Sequence, residues 1–241
     1  MPVGFQAIND SGVYQIDDTY KNLQLKTKAS VTSMTQVNTG SIYAGLFQYW
    51  YYDIVVTSAT NPVVALNGNT TQWLIVGAVN ISGGTWTFRV YSDADVDFTY
   101  YVFDVPTTSG TFGIEVFNSS GQLQYTSGLN PFRVKQQVTT VAADGNKTTT
   151  LTSGRTYAIA TIYPGRAAVA GFEIGDPKIP TPSYCMQQHY IGGFKLNGVT
   201  LTTNLAPVLW YDQYQCDDWD CGLITGADDA QRVLVLDVTN Y

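Results

Sequence analysis

Charge is scarce in this chain: Lys, Arg, Asp and Glu make up 13% of its 241 residues, about half the roughly 25% usual in globular domains. Helix surfaces draw heavily on Glu, Lys and Arg, so long amphipathic helices have little material here. Histidine occurs once, at His189, and any Ser-His-Asp or Cys-His arrangement has only that residue to use. No G-x-S-x-G elbow, phosphate-cradling glycine loop or H-E-x-x-H motif is present. There are three cysteines, and the N-terminus MPVGFQAIND has neither a positive start nor an apolar core. The expectation is synthesis in a reducing cytoplasm without a disulfide framework. No apolar run approaches the roughly 20 residues of a membrane helix, so no membrane insertion is expected. The net charge is -7 with no basic stripe, which excludes a nucleic-acid partner.

Sheet-forming residues fill the space that charge leaves. Hydrophobic residues reach 44% and there are 17 Tyr, enough for sizeable cores on pleated surfaces. GVYQID, LFQYWYYDIVVTS, TQWLIVGAV, TWTFRVYS, DFTYYVFDV and TFGIEVFN are β-branched and aromatic runs. Turn signals separate them, among them Asp10-Ser11-Gly12, Ser82-Gly83-Gly84 and Ser119-Ser120-Gly121. From Thr85 to Tyr91 the pattern alternates, with Trp86, Phe88 and Val90 on one side and Thr87, Arg89 and Tyr91 on the other. LFQYWYYDIVV carries aromatics on both faces. Trp50 and Tyr52 should therefore part from Tyr49 and Tyr51, one pair entering the interior and the other a subunit contact.

An internal repeat organises the chain. Gly4 to Gln15 (GFQAINDSGVYQ) aligns with Gly113 to Gln124 (GIEVFNSSGQLQ), and the register continues to Lys26 and Lys135. Six of the 23 aligned positions are identical, where unrelated sequences give about one or two. Each copy reads as a hairpin whose Asn accepts local hydrogen bonds and whose Gly supplies a positive φ. The fold class expected is all-β, with two antiparallel β-sandwich-like domains in tandem. Residues 1–105 would form the first. Residues 111–241 would form the second, opened by the repeated hairpin and bearing an irregular Cys/His and aromatic segment at 176–225.

The repeated G-[FI]-x-x-x-N-x-S-G hairpin resembles a signature of tailed-bacteriophage virion proteins of the tail, tail tip or fibre. The stretch YYVFDVPTTSGTFGIEVFNSSGQLQYTS carries the resemblance furthest. It implies a virion component of the tail tip, baseplate or fibre region, made in the host cytoplasm, and the lack of catalytic motifs makes the expected role structural and non-enzymatic. Implied partners are other tail proteins, with this chain as a homotrimer or homohexamer and a role in host attachment through a cell-surface glycan. A carbohydrate-binding module or receptor-binding protein is the alternative. The segment from Asp176 to Tyr241 carries none of the resemblance.

Two constellations lie in that segment. Cys185-x3-His189 and Cys216-x4-Cys221 hold every cysteine and the sole histidine. Such soft and borderline ligands suit one structural zinc or an iron–sulfur cluster, though x3 and x4 are not standard knuckle spacings. The other reading is small buried residues and one imidazole. Trp210, Tyr211, Tyr214 and Trp219 alternate with Asp212, Asp217 and Asp220. Exposed, they would form a glycan platform; covered, they are core or interface. Asp217, Asp218 and Asp220 read as an acidic surface loop rather than a catalytic acid and base.

Overall fold

A computed structural model describes residues 7–8, 14–16, 22–41, 45–106, 113–141, 144–174, 183–216 and 230–241. Among the described residues there is no α-helix, and none long and apolar enough to cross a membrane. The all-β expectation holds. In the first half the strands are β1 (Ala7–Ile8), β2 (Tyr14–Ile16), β3 (Gln24–Val31), β4 (Thr35–Ser41), β5 (Gly45–Val56), β6 (Val63–Asn67), β7 (Leu74–Ser82), β8 (Thr85–Ser92) and β9 (Phe98–Asp104). In the second they are β10 (Glu115–Phe117), β11 (Leu123–Thr126), β12 (Val134–Thr140), β13 (Lys147–Thr150), β14 (Tyr157–Tyr163), β15 (Arg166–Ile174), β16 (Ser183–Asn197), β17 (Thr200–Cys216) and β18 (Gln231–Asp237).

Both copies of the repeat fold as antiparallel hairpins, each a separate two-stranded sheet. They agree in register as well as in type. Ala7 faces Ile16 and Ile8 faces Tyr14 with a shift between; the aligned Val116 faces Tyr125 and Phe117 faces Leu123, with the same shift. The turn chemistry of the second copy is the expected one. Asn118 Oδ1 accepts the Ser120 and Gln122 amides at 3.0 and 2.9 Å, and Gly121 has φ +74°.

The tandem-sandwich expectation is corrected. Residues 1–105 and 111–241 do not make separate sandwiches, because each large sheet takes strands from both. One sheet runs β12-β18-β14-β6-β9-β3 and the other β13-β17-β16-β7-β8-β5-β4. The centre of the first is the β6·β14 pair, and β7 meets β16 in the second at Leu74 and Phe194. The physical reason is two-sided burial. Val64, Leu66, Val102, Ile159, Val233 and Val235 enter the core between the sheets. Their alternates Ala65, Tyr101, Phe103, Ala158, Ala160 and Leu236 enter a second core on the opposite face. Strands apolar on both faces belong at the middle of a covered sheet, not at the rim of a small sandwich.

The order of pairing is that of a pseudo-two-fold. Within the first half β9 pairs β3 and β6; within the second β18 pairs β12 and β14. Likewise β8 pairs β7 and β5, while β17 pairs β16 and β13. The β3·β9 register shifts between Leu25 and Thr27, and β12·β18 shifts at the aligned Val134 and Gln136. Val64 lies opposite Val102 as Ile159 lies opposite Val235. Ala65 and Ala160 are then counterparts, and they pair with each other. Self-pairing of equivalent elements is what an isologous interface requires. Here the interface lies inside one chain.

Counted from their two-residue turns, Gly77 of β7 and Gly192 of β16 are also counterparts, and each sits at a register shift. A Cβ on Gly192 would run into the backbone carbonyl of Pro164 and the side chain of Gln231, whereas one on Gly77 would crowd the Tyr91 ring, at 2.6 Å, with Ile191 at an ordinary 3.8 Å. Backbone cannot give way as a ring can. Gly192→Ala should therefore cost about 1–3 kcal/mol and exceed Gly77→Ala, measured by chemical denaturation of the two variants side by side.

Candidate functional site

The cysteine and histidine positions fall on one long ladder. Cys185 and His189 lie on β16, opposite Tyr214 and Trp210 of β17, and Cys216 lies opposite Ser183. Four residues of extended strand span about 13 Å, so the backbone spreads Cys185 and His189 rather than pairing them closely. Cys221 lies outside the described residues. Among the described residues no group of three His, Cys, Asp or Glu is placed to hold a metal. Zinc or iron remains a proposal for this segment, and its test is direct. Metal retained near one equivalent after dialysis supports it, and metal-free purified protein removes it. Of the aromatic set, Trp210, Tyr211 and Tyr214 occupy β17 positions opposite His189, Gln188 and Cys185. Trp219 and the acidic residues 217, 218 and 220 lie outside the described residues.

The aromatic strand β5 divides as its alternation demands. Trp50 and Tyr52 pack against the inter-sheet core. On the other face Tyr51 lies under the Arg89 guanidinium at 4.4 Å, and Tyr49 meets Tyr91 edge-on at 5.6 Å. Arg89 also grips Asp53 with two hydrogen bonds of 2.7 Å. That bidentate contact holds the Asp53 carboxyl below its ordinary value and raises the guanidinium's. This outer face is a satisfied network rather than a bare reactive group.

Each half ends its last strand on the same three-residue theme, Phe103-Asp104-Val105 and Leu236-Asp237-Val238. Both aspartates are buried, and both are fully engaged. Asp104 accepts the amides of Thr60, Asn61 and Val105 at 2.9 Å each and has Lys26 at 3.6 Å. Asp237 accepts from Arg155 at 2.6 Å and from the Thr239 amide at 3.1 Å. Burial alone would push both carboxyls up, but these donors and cations outweigh it and hold both below the ordinary value. They read as clamps closing each half, and not as an acid and base pair.

A groove of about 400 Å3, lined mainly by Thr, Asn and Lys residues, lies on the outer face of the larger sheet. Thr70, Thr71 and Trp73 wall it from the segment between β6 and β7. Lys195 and Asn197 of β16, Thr200 and Thr202 of β17, and Asn146 complete the lining. The two halves are tied together here by the Thr70 amide donating to the Leu196 carbonyl at 2.7 Å and the Gly198 amide donating to Asn69 Oδ1 at 2.9 Å. Lys195 Nζ stands 4.4 Å from the Trp73 ring centroid. The expected positions contain none of these residues. A signal was present in the second repeated spacing, Gly77-x5-Gly83-x-Thr85-x-Thr87 against Gly192-x5-Gly198-x-Thr200-x-Thr202. It marks the two equivalent hairpins, but not the segment that covers one of them.

No known family model matches the chain, and no curated protein or solved structure matches it.

The buried aspartates set a pH dependence. Their native pKa lies below the unfolded value of about 3.9, so their contribution is complete above that value. It is lost as pH falls through the lower native one, because the unfolded chain takes up protons first. Asp104→Asn should lower stability by about 1–3 kcal/mol at neutral pH. The deficit should shrink below about pH 4, as read by denaturant titrations at several pH values.

Proposed function

We propose that this chain is a non-enzymatic structural subunit of a bacteriophage tail, in the tip, baseplate or fibre region. The tail assignment comes from the repeated G-[FI]-x-x-x-N-x-S-G hairpin, which recurs in both sequence and register. The single observation that carries a subunit role is a discontinuity at β7. β16 meets β7 at Phe194 and Leu74, and beyond that point its edge from Tyr184 to Ile191 is taken by β15. Past Leu74, β7 therefore has no second strand neighbour among the described residues.

Side chains tell the same story. Val79 and Ile81 of β7 lie opposite Phe88 and Trp86, on the core-facing side, yet they are 49% and 56% exposed. Their counterparts Phe194 and Leu196 are buried at 0% and 2%. Ile162, at the end of β14, is exposed as well, and a largely apolar cleft of about 380 Å3 lies alongside. An open strand edge beside apolar side chains is a liability in a free monomer and a natural contact in an assembly. Other tail proteins and further copies of this chain are the partners proposed.

Purified protein should sediment as a species larger than one 26.4-kDa chain, in closed rings of the trimer or hexamer kind. Val79→Lys should shift it toward monomer while leaving its folded β-sheet circular-dichroism spectrum unchanged, since that side chain is already half exposed. A wild-type monomer at micromolar concentration with no affinity for tail proteins would overturn the assignment. The second reading, a carbohydrate-binding module or receptor-binding protein, is favoured by the Thr- and Asn-lined groove.

A further inference from the structure

We infer that the groove between the Thr70–Trp73 segment and the β16–β17 hairpin binds a saccharide carrying a carboxylate, of the uronic-acid class. The inference rests on the groove of the second reading and not on the tail assignment. Its chemistry follows from what the lining offers. Asn197, Thr200 and Thr202 present neutral hydroxyl and amide groups, which donate and accept as sugar hydroxyls do, while Asn146 Oδ1 already accepts from Asn204 and Thr70 Oγ1 from the Gln72 amide. One cation joins them, Lys195.

That lysine is held for an anion rather than spent on one. No carboxylate lies within 4.0 Å of its ammonium among the described residues, and its described contact is the Trp73 face. Of the other described lysines, Lys26 and Lys147 have Asp104 and Asp144 within reach, and Lys28 donates to the Tyr241 main-chain oxygen at 2.7 Å. Stacking on a ring fixes the ammonium without neutralising it. In a chain of net charge -7, a cation with no carboxylate partner among the described residues, set among neutral polar side chains, selects one negative group with hydroxyls around it. A phosphate or sulfate would call for several cations or convergent backbone amides, and the lining has one cation. An apolar peptide would call for apolar walls, and Trp73 is the only apolar side chain of the lining.

Comparison of the two halves supports a site rather than a generic sheet surface. The equivalents of Lys195, Asn197, Thr200 and Thr202 are Asn80, Ser82, Thr85 and Thr87, by count from the two hairpin turns. The first half thus keeps the hydroxyls but has no lysine. The Thr70–Trp73 segment leans on the second hairpin through the Thr70 and Gly198 amides. The groove is the product of divergence between two copies of one hairpin.

The test is calorimetric titration of the full chain with oligogalacturonate and with its neutral reduced counterpart, oligogalactose. The acidic oligomer should bind, weaken with added salt, and lose about tenfold or more in affinity in Lys195→Gln. Lys147→Gln, in a lysine outside the groove, should bind as the wild type does. Lys195 is partly exposed, so an unchanged melting curve shows that its variant folds. Equal binding of the neutral and acidic oligomers, indifferent to Lys195→Gln, would overturn the acidic class and leave a neutral glycan module. Binding of neither at millimolar concentration would overturn the inference and the module reading together, leaving the assembly reading untouched.

Discussion

The rest of the structure depends on the antiparallel pairing of β6 with β14 at Ala65 and Ala160. Both halves place an alanine at this position. Both residues are essentially inaccessible and lie in the second core beside Tyr101, Phe103 and Leu236. With this pair made, the two halves share both cores. Their boundary is a ladder of hydrogen bonds in the middle of a sheet rather than a linker between bodies.

Duplication explains how one sequence builds such a large composite core with little charge. Each half contributes the same circuit, a hairpin followed by strands that step between the two sheets, and each closes with a buried aspartate after an apolar strand. Departures from equivalence are where distinctive chemistry arises. β4 is added to the first half, and β15 is added to the second, where it takes the edge of β16 that β7 would otherwise continue along. Insertion of β15 leaves Val79 and Ile81 uncovered, while the Thr70–Trp73 segment covers the equivalent hairpin and creates the groove. One copy thus carries the proposed assembly surface and the other the proposed ligand groove.

Much of this was legible in the sequence. A low charge fraction with abundant Thr and Tyr specified sheets, because those side chains suit a pleated surface and starve helix exteriors. Asn118, Ser120 and Gly121 specified a hairpin, because an Asn carboxamide can replace backbone donors' missing partners and Gly alone adopts φ +74° without strain. The period of two in TWTFRVYS specified which side chains face inward, and Phe88 and Val90 are buried as that period requires. The same period divided Trp50 and Tyr52 from Tyr49 and Tyr51.

Partnership between distant strands was decided only by the tertiary structure. Nothing local in VVALN or YAIATIY names the other as its neighbour, since Ala65 and Ala160 are 95 positions apart, and any apolar strand offers the same backbone donors and acceptors. Two sandwiches in tandem satisfy local pattern equally well. What selects the fused arrangement is burial on both faces of β6, β9, β14 and β18 at once, a condition that exists only when all four lie side by side. The groove has the same origin. Trp73 and Lys195 are 122 positions apart, and they meet because the pairing of the two halves lays one segment across the other's hairpin.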